Sequence, residues 1–211
     1  VPEPASSPAR VVVLASGSGS VFAALAEAAA RTSHDPAGAV LLTRLVCDQP
    51  DAGVMARAVA LGVPAVAVPL TDRAARRQWD DDLADAIAVG EPDLVISAGF
   101  MRILGPAVLE RFADRVINTH PALLPAFPGA HAVRDALAYG VRVTGCTVHM
   151  VDAGVDTGPV LAQRVVQVGP GDDEESLHER IKTEERQLLP EVAFRMLANG
   201  WTIDGRRVTI P

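Results

Sequence analysis

At 211 residues, 49% hydrophobic, 21% charged and only 4% aromatic, the chain is long enough for one sizeable α/β domain and short for two. Its net charge of -7, with a pI of about 5.2 and no basic stripe, argues against nucleic acid or an anionic membrane as a main partner. No apolar run approaches the length of a membrane span, and Cys47 and Cys146 sit apart in apolar runs with no CxxC pair, which reads as two buried thiols in a reducing cytoplasm.

The opening "VPEPASSPAR" has no apolar signal core and reads as a flexible tail over residues 1–9, with a single domain over 10–211. "RVVVLAS" (10–16) is apolar on both faces, as a buried strand is. A helix is predicted over 20–32, with Ser20 at or near its N-cap, then a strand over 39–48 and a helix over 52–62 ending on Gly62. A third strand follows over 63–69. The helix over 73–90 carries Trp79, Leu83 and Ile87 on one stripe. Strand 93–99, helix 105–112 and strand 115–118 complete a β-α alternation that predicts a doubly wound, mostly parallel sheet. Beyond it come a helix over 132–140, two strands over 143–152 and 158–168 that are close enough in sequence to pair antiparallel, and a long helix over 174–200 that Pro190 is expected to bend. "DG" at 204–205 between "WTI" and "RRVTI" is a hairpin signal.

Open parallel sheets bind ligands at the carboxyl ends of their strands, and three polar features fall there. "SGSGS" (16–20) links the first strand to the first helix. Its glycines let successive backbone N–H groups converge in front of a helix N-terminus, which suits one phosphomonoester. Phe22 stands where a dinucleotide fingerprint has its third glycine, and no Gly-Lys-Ser/Thr follows; a plain β-α turn is the simpler alternative. "INTHPALLPAFPG" (117–129) places Asn118 and His120 on one side of a strand end and then three prolines, Pro121, Pro125 and Pro128, that stiffen the loop. A lone histidine is normally structural; Asn and His together at a strand's carboxyl end point to a preorganised site. "DAGVDTGPV" (152–160) is a tight polar loop in which Asp156 can face His120 and raise its pKa above the ordinary 6.5, or serve only the turn. His120, His149 and Asp156 also make a conceivable two-His, one-carboxylate set. No HExxH or close Cys/His spacing supports it, and no metal is expected.

"INTHPALLPAFPG", preceded by "AGFMRIL" (98–104) and followed by "VDAGVDTGP" (151–159), resembles the folate-dependent formyltransferase family over residues 10 to about 207, with "SGSGS" and the lack of an extra domain pointing to the branch that acts on glycinamide ribonucleotide. The resemblance implies a formyltransferase-like fold and transfer of formyl from 10-formyltetrahydrofolate to the ribonucleotide amine, in purine biosynthesis and without a metal. It implies that Asn118 binds the developing oxyanion, that His120 as an imidazolium stabilises it and donates a proton, and that Asp156 raises the histidine pKa and positions a water. Gly19, Ser20 and Val21 match the phosphate turn, and Lys182, Thr183, Glu184 and Glu185 the stretch of the last helix that reaches the ribonucleotide. Met101, Arg102, Ile103 and Leu104, with Arg76, Asn118 and Asp152, Ala153, Gly154, Val155 and Asp156, match the folate side. A cis Leu124–Pro125 bond is also implied. The family usually has Asn at the position of Val21, so phosphate binding is expected to rest there on backbone N–H groups.

Three other readings fit less well. A 10-formyltetrahydrofolate hydrolase shares the trio but usually carries an N-terminal regulatory domain, for which the ten residues before the first strand are expected to leave no room. A methionyl-tRNA formyltransferase needs a basic RNA-binding domain. A non-catalytic nucleotide-binding module has no need of Asn118, His120 and Asp156 together. The composition is compatible with a homodimer.

Overall fold

The first strand, β1 (Ala9–Ala15), is apolar on both faces because it lies inside the sheet with helices on either side. The structure, a computed structural model, describes residues 8–32 and 38–211. The predicted tail falls outside them except for Pro8 and Ala9, and Ala9 already belongs to β1.

The chain continues through α1 (Ser20–Thr32), β2 (Val40–Cys47), α2 (Gly53–Ala60), β3 (Ala65–Ala67), a 3-10 turn at Arg73–Ala75, α3 (Arg76–Ala88), β4 (Leu94–Ser97), α4 (Pro106–Arg111) and β5 (Val116–His120). Then follow α5 (Ala132–Tyr139), β6 (Val143–Met150), β7 (Val160–Gln167), α6 (Glu174–Asn199), β8 (Thr202–Asp204) and β9 (Arg207–Thr209). Seven strands form one sheet in the order β3-β2-β1-β4-β5-β6-β7. Neighbours from β3 to β5 are parallel, and β6 runs antiparallel to both β5 and β7; the β6–β7 pairing is the one the sequence led us to expect.

Strand alternation divides the core into two layers. Val11, Val13 and Ala15 pack with Phe22 and Leu25 of α1, Val54 of α2 and Leu177, Ile181 and Leu189 of α6. Val12 and Leu14 pack on the other face with Trp79, Leu83 and Ile87 of α3 and Val108 of α4. Both cysteines are buried and unpaired.

Three expectations change in detail. The third strand shrinks from 63–69 to Ala65–Ala67, while β5 extends two residues past its expected end and takes in His120. The last hairpin turns on Gly205–Arg206 instead of Asp204–Gly205, because Asp204 pairs with Arg207. Gly205 has φ +55° and Arg206 is not left-handed, which is the type II′ pattern with glycine at the first loop position. α6 stays helical on both sides of the buried Pro190, although a proline there removes one helical hydrogen bond.

Candidate active site

The sheet order reverses at β1, which has β2 on one side and β4 on the other. That is where an open α/β sheet leaves a crevice at the carboxyl ends of its strands. A cavity of about 660 Å³ opens there, lined by the loops after β1, β4, β5 and β6 and by one face of α6.

The end of β5 serves both faces of the sheet. Asn118 and His120 share the side of Val116, toward α3 and α4, whereas Thr119 shares the side of Ile117, toward α6. His120 is 4% exposed. Its Nε2 lies 2.8 Å from the Phe127 carbonyl, which can only accept, so Nε2 carries a hydrogen. Its Nδ1 lies 3.3 Å from Asp156 Oδ2. A proton arriving on the ring therefore lands on Nδ1, facing a carboxylate. Asp156 sits in the left-handed region at φ +54°, and its Oδ2 also accepts from the Gly129 N–H at 2.7 Å.

The expected rise in the histidine pKa does not occur. Burial holds His120 below its ordinary value of 6.5; Asp156 and the Phe127 carbonyl push the other way and His149 adds to the lowering. For Asp156, burial opposes ionisation, but the nearby His149 ring, the hydrogen bond from the Gly129 amide and the His120 ring outweigh it, and its pKa is lowered. The resting pair is thus a carboxylate beside a largely neutral ring at neutral pH.

His149, weighed from sequence only as a metal ligand, has another place. It lies opposite Asn118 across the β5–β6 ladder. Its Nδ1 donates to the Met150 carbonyl at 2.8 Å, which leaves Nε2 to accept from Asn118 Nδ2 at 3.1 Å. That bond fixes the Asn118 amide and leaves its second N–H to be used elsewhere. Among the described residues no group of three or more His, Cys, Asp or Glu side chains is placed to hold a metal ion. Only the cross-strand register makes this role visible, and sequence spacing carries no sign of it.

The proline loop is held by more than its prolines. Thr147 Oγ1 donates to the Ala122 carbonyl at 2.7 Å and accepts from the Leu124 N–H at 3.0 Å, and Gln163 Nε2 donates to the Leu124 carbonyl at 2.9 Å. The Leu124–Pro125 bond is cis, as the resemblance implied. A further tie was not foreseen. Arg206, at the tip of the last hairpin, donates to the carbonyls of Thr157 at 2.9 Å and Gly158 at 3.4 Å, just beyond Asp156.

On the α6 side, Gly19 has φ +78°, and a Cβ there would lie 2.6 Å from the Val54 side chain, so the turn into α1 requires glycine. Gly19, Ser20 and Val21 all line the cavity. The Val21 side chain is buried in the core, which leaves the first N–H groups of α1 as the polar face of this turn. Lys182 and Glu185 line the cavity, while Thr183 and Glu184 do not. At 100° per residue they fall on other faces of α6: Thr183 donates to the Glu179 carbonyl, and Glu184 pairs with Arg164 of β7. Glu185 is 5% exposed and accepts from Thr119 Oγ1 at 2.8 Å. Burial pushes its pKa up to about 7, against the hydrogen bond from Thr119 and the charges of Lys182 and Arg186.

On the opposite side, Met101, Arg102, Ile103 and Leu104 line the cavity together with Asp152, Gly154 and Val155; Ala153 and Arg76 do not. Arg76 instead stacks over Trp79 at 4.8 Å and donates to the Ile103 carbonyl, so it reaches the cavity only through that loop. Asp152 accepts from the Gly154 N–H and the Thr157 hydroxyl, which folds the loop that carries Asp156.

Comparison with known proteins identifies the family of the chain. The formyl transferase family matches residues 9–193. A phosphoribosylglycinamide formyltransferase of Mycobacterium tuberculosis is 54% identical over 209 residues, covering 98% of this chain and 94% of that protein. The Escherichia coli phosphoribosylglycinamide formyltransferase is 36% identical over 197 residues, covering 93% of this chain and 88% of that protein. The crystal structure of glycinamide ribonucleotide transformylase 1 from Symbiobacterium toebii superposes with a TM-score of 0.87 at 40% identity, covering 96% of this chain and 93% of that one. The chain belongs to the formyl transferase family.

Proposed function

We propose that this member of the formyl transferase family moves the formyl group of 10-formyltetrahydrofolate to the amine of glycinamide ribonucleotide, giving formylglycinamide ribonucleotide and tetrahydrofolate in the de novo synthesis of purines, as a cytoplasmic enzyme. The observation that carries the reading is the division of labour at the end of β5. Asn118 and His120 face one side with Asp156, Thr119 faces the other with Glu185, and both sides open on one cavity. Two small substrates entering from opposite faces of the sheet meet at that strand end.

The ribonucleotide phosphate sits on the turn at Gly19 and Ser20, at the positive end of α1. Lys182 and ionised Glu185 face its sugar, the carboxylate accepting from hydroxyls. The folate lies along residues 101–104 and 152–155. When the amine attacks the formyl carbon, the carbonyl oxygen becomes an oxyanion, and the Asn118 N–H not engaged by His149 donates to it. The attacking nitrogen becomes acidic at that moment. His120 takes its proton, holds it as an imidazolium paired with Asp156, adds positive charge near the oxyanion, and returns the proton to the departing folate nitrogen. The lowered histidine pKa suits this order, because the ring is neutral until the amine supplies the proton.

The test is the rate of tetrahydrofolate release from 10-formyltetrahydrofolate with and without glycinamide ribonucleotide, with the product identified. The reading requires release that depends on the ribonucleotide and matches formylated product one for one. Equal release in its absence, with formate as product, would make the chain a hydrolase.

A further inference from the structure

The loop between β4 and α4 holds two large apolar side chains in the open, Met101 at 71% exposure and Ile103 at 58%. Phe100 and Leu104 of the same loop pack in the core, but the two exposed side chains add no packing to the stretch that carries them. Polar ties from other elements hold that stretch. The Met101 N–H donates to Ser16 Oγ at 2.8 Å, Arg76 donates to the Ile103 carbonyl, and the Gly105 and Ala107 N–H groups donate to the two oxygens of buried Asp80 at 2.8 and 2.9 Å. One more tie uses a side chain of the loop itself: Arg102 Nε lies 2.7 Å from Asp48 Oδ2.

Asp48 immediately follows β2, and β1 lies between β2 and β4. The Asp48–Arg102 pair therefore spans the end of β1, at the floor of the crevice. The Asp48 side chain is only 1% exposed. Gln49 donates to the same Oδ2 at 3.3 Å, but Oδ1 is buried with no hydrogen-bond partner among the described residues. A buried carboxylate with one oxygen unsatisfied is costly for the fold. Packing alone gives no reason to place it there, and local costs of this kind collect around functional sites.

We propose that Asp48 is a positioning residue for the folate wall: it holds the Arg102 side chain, and through it fixes the backbone of residues 101–104 against which the folate lies. The inference rests on the proposed formyl transfer for the identity of the ligand. It also gives Arg102 a task besides direct contact with the ligand, since its Nε is engaged by Asp48.

The test uses the full chain with Asp48→Asn, which keeps shape and removes charge, together with Arg102→Gln and the double variant. Kd for 10-formyltetrahydrofolate is read by equilibrium titration, and KM for each substrate and kcat from turnover. Asp48→Asn should weaken folate roughly tenfold, the size of one lost charge-assisted hydrogen bond, with kcat and the ribonucleotide KM nearly unchanged. The double variant should be no worse than the weaker single, because one tie is lost in all three. An unchanged folate Kd, an equal loss for both substrates, fully additive losses, or an Asp48→Asn chain that no longer folds would each overturn the assignment, the last by making Asp48 a residue of the fold alone. Wild-type protein that binds folate without ribonucleotide-dependent transfer would defeat the proposed reaction, and the folate titrations would still decide the role of Asp48.

Discussion

His120 Nδ1 and Asp156 Oδ2 lie 3.3 Å apart at the end of β5, while the other ring nitrogen is held by the Phe127 carbonyl. Both ring nitrogens thus face acceptors, and it is burial, with a smaller contribution from His149, that keeps the ring from holding a proton at neutral pH. Asp156→Asn removes the charge and keeps the shape. The His120 pKa, already below 6.5, should then fall further, since the charge of Asp156 is the largest influence raising it. Turnover should drop by about 10²-fold or more, the usual worth of a positioned acid-base group. Titration of His120 by NMR in both proteins checks the first half; an unchanged pKa would leave Asp156 as a turn or water-positioning residue.

Glu185 sets stability against binding. Its pKa is 4.5 in an unfolded chain and about 7 in the fold, so between those values the folded chain keeps a proton that the unfolded chain has lost. Stability from this group is therefore present below pH 4.5 and is lost as pH rises to about 7. Glu185→Gln should be more stable than wild type at pH 7.5 to 8, by about 1 kcal/mol or more, and its stability should decline less across the window. The same substitution removes the anionic acceptor for the ribonucleotide hydroxyls and should raise the ribonucleotide KM. Denaturant melts at several pH values and steady-state kinetics read the two effects separately; a variant less stable at neutral pH would contradict the burial argument.

Arg206 braces the loop that carries Asp156 by donating to the Thr157 and Gly158 carbonyls. The hairpin that bears it is anchored at its base by Trp201, which is 3% exposed and donates to the Asp114 carbonyl at 3.0 Å. Arg206→Ala should lower kcat roughly two- to tenfold, the range for a hydrogen bond at an exposed site, without changing ribonucleotide binding. Amide exchange across 152–158 should quicken, and Arg206→Lys should recover part of the rate. Unchanged exchange in this segment would show that the contact does not hold the loop.

Much of this was legible in the chain. The apolar runs around Val12 and Ile96 and the Trp79–Leu83–Ile87 stripe follow from periods of 2 and 3.6, and the strand ends then locate Gly19, Asn118 and His120 at one crevice. Contacts between residues far apart in sequence were not legible. The Asn118–His149 bond depends on the β5–β6 register, and the Asp48–Arg102 pair depends on β1 lying between β2 and β4. The family resemblance implies Thr183 and Glu184 alongside Lys182, but helical rotation turns their side chains away from the cavity. The direction of the His120 shift failed for a different reason. A neighbouring carboxylate shows in a motif, whereas the depth of burial that outweighs it does not.

The central claim is that Asn118 and His120 act on the reacting formyl group and not on substrate binding. The most direct measurement is single-turnover formyl transfer by His120→Ala, with ribonucleotide Kd measured on the same protein. The rate should fall about 10²–10³-fold while Kd stays within about twofold, because a group used mainly in the transition state contributes little to ground-state binding. A near-wild-type rate in this variant would contradict the account.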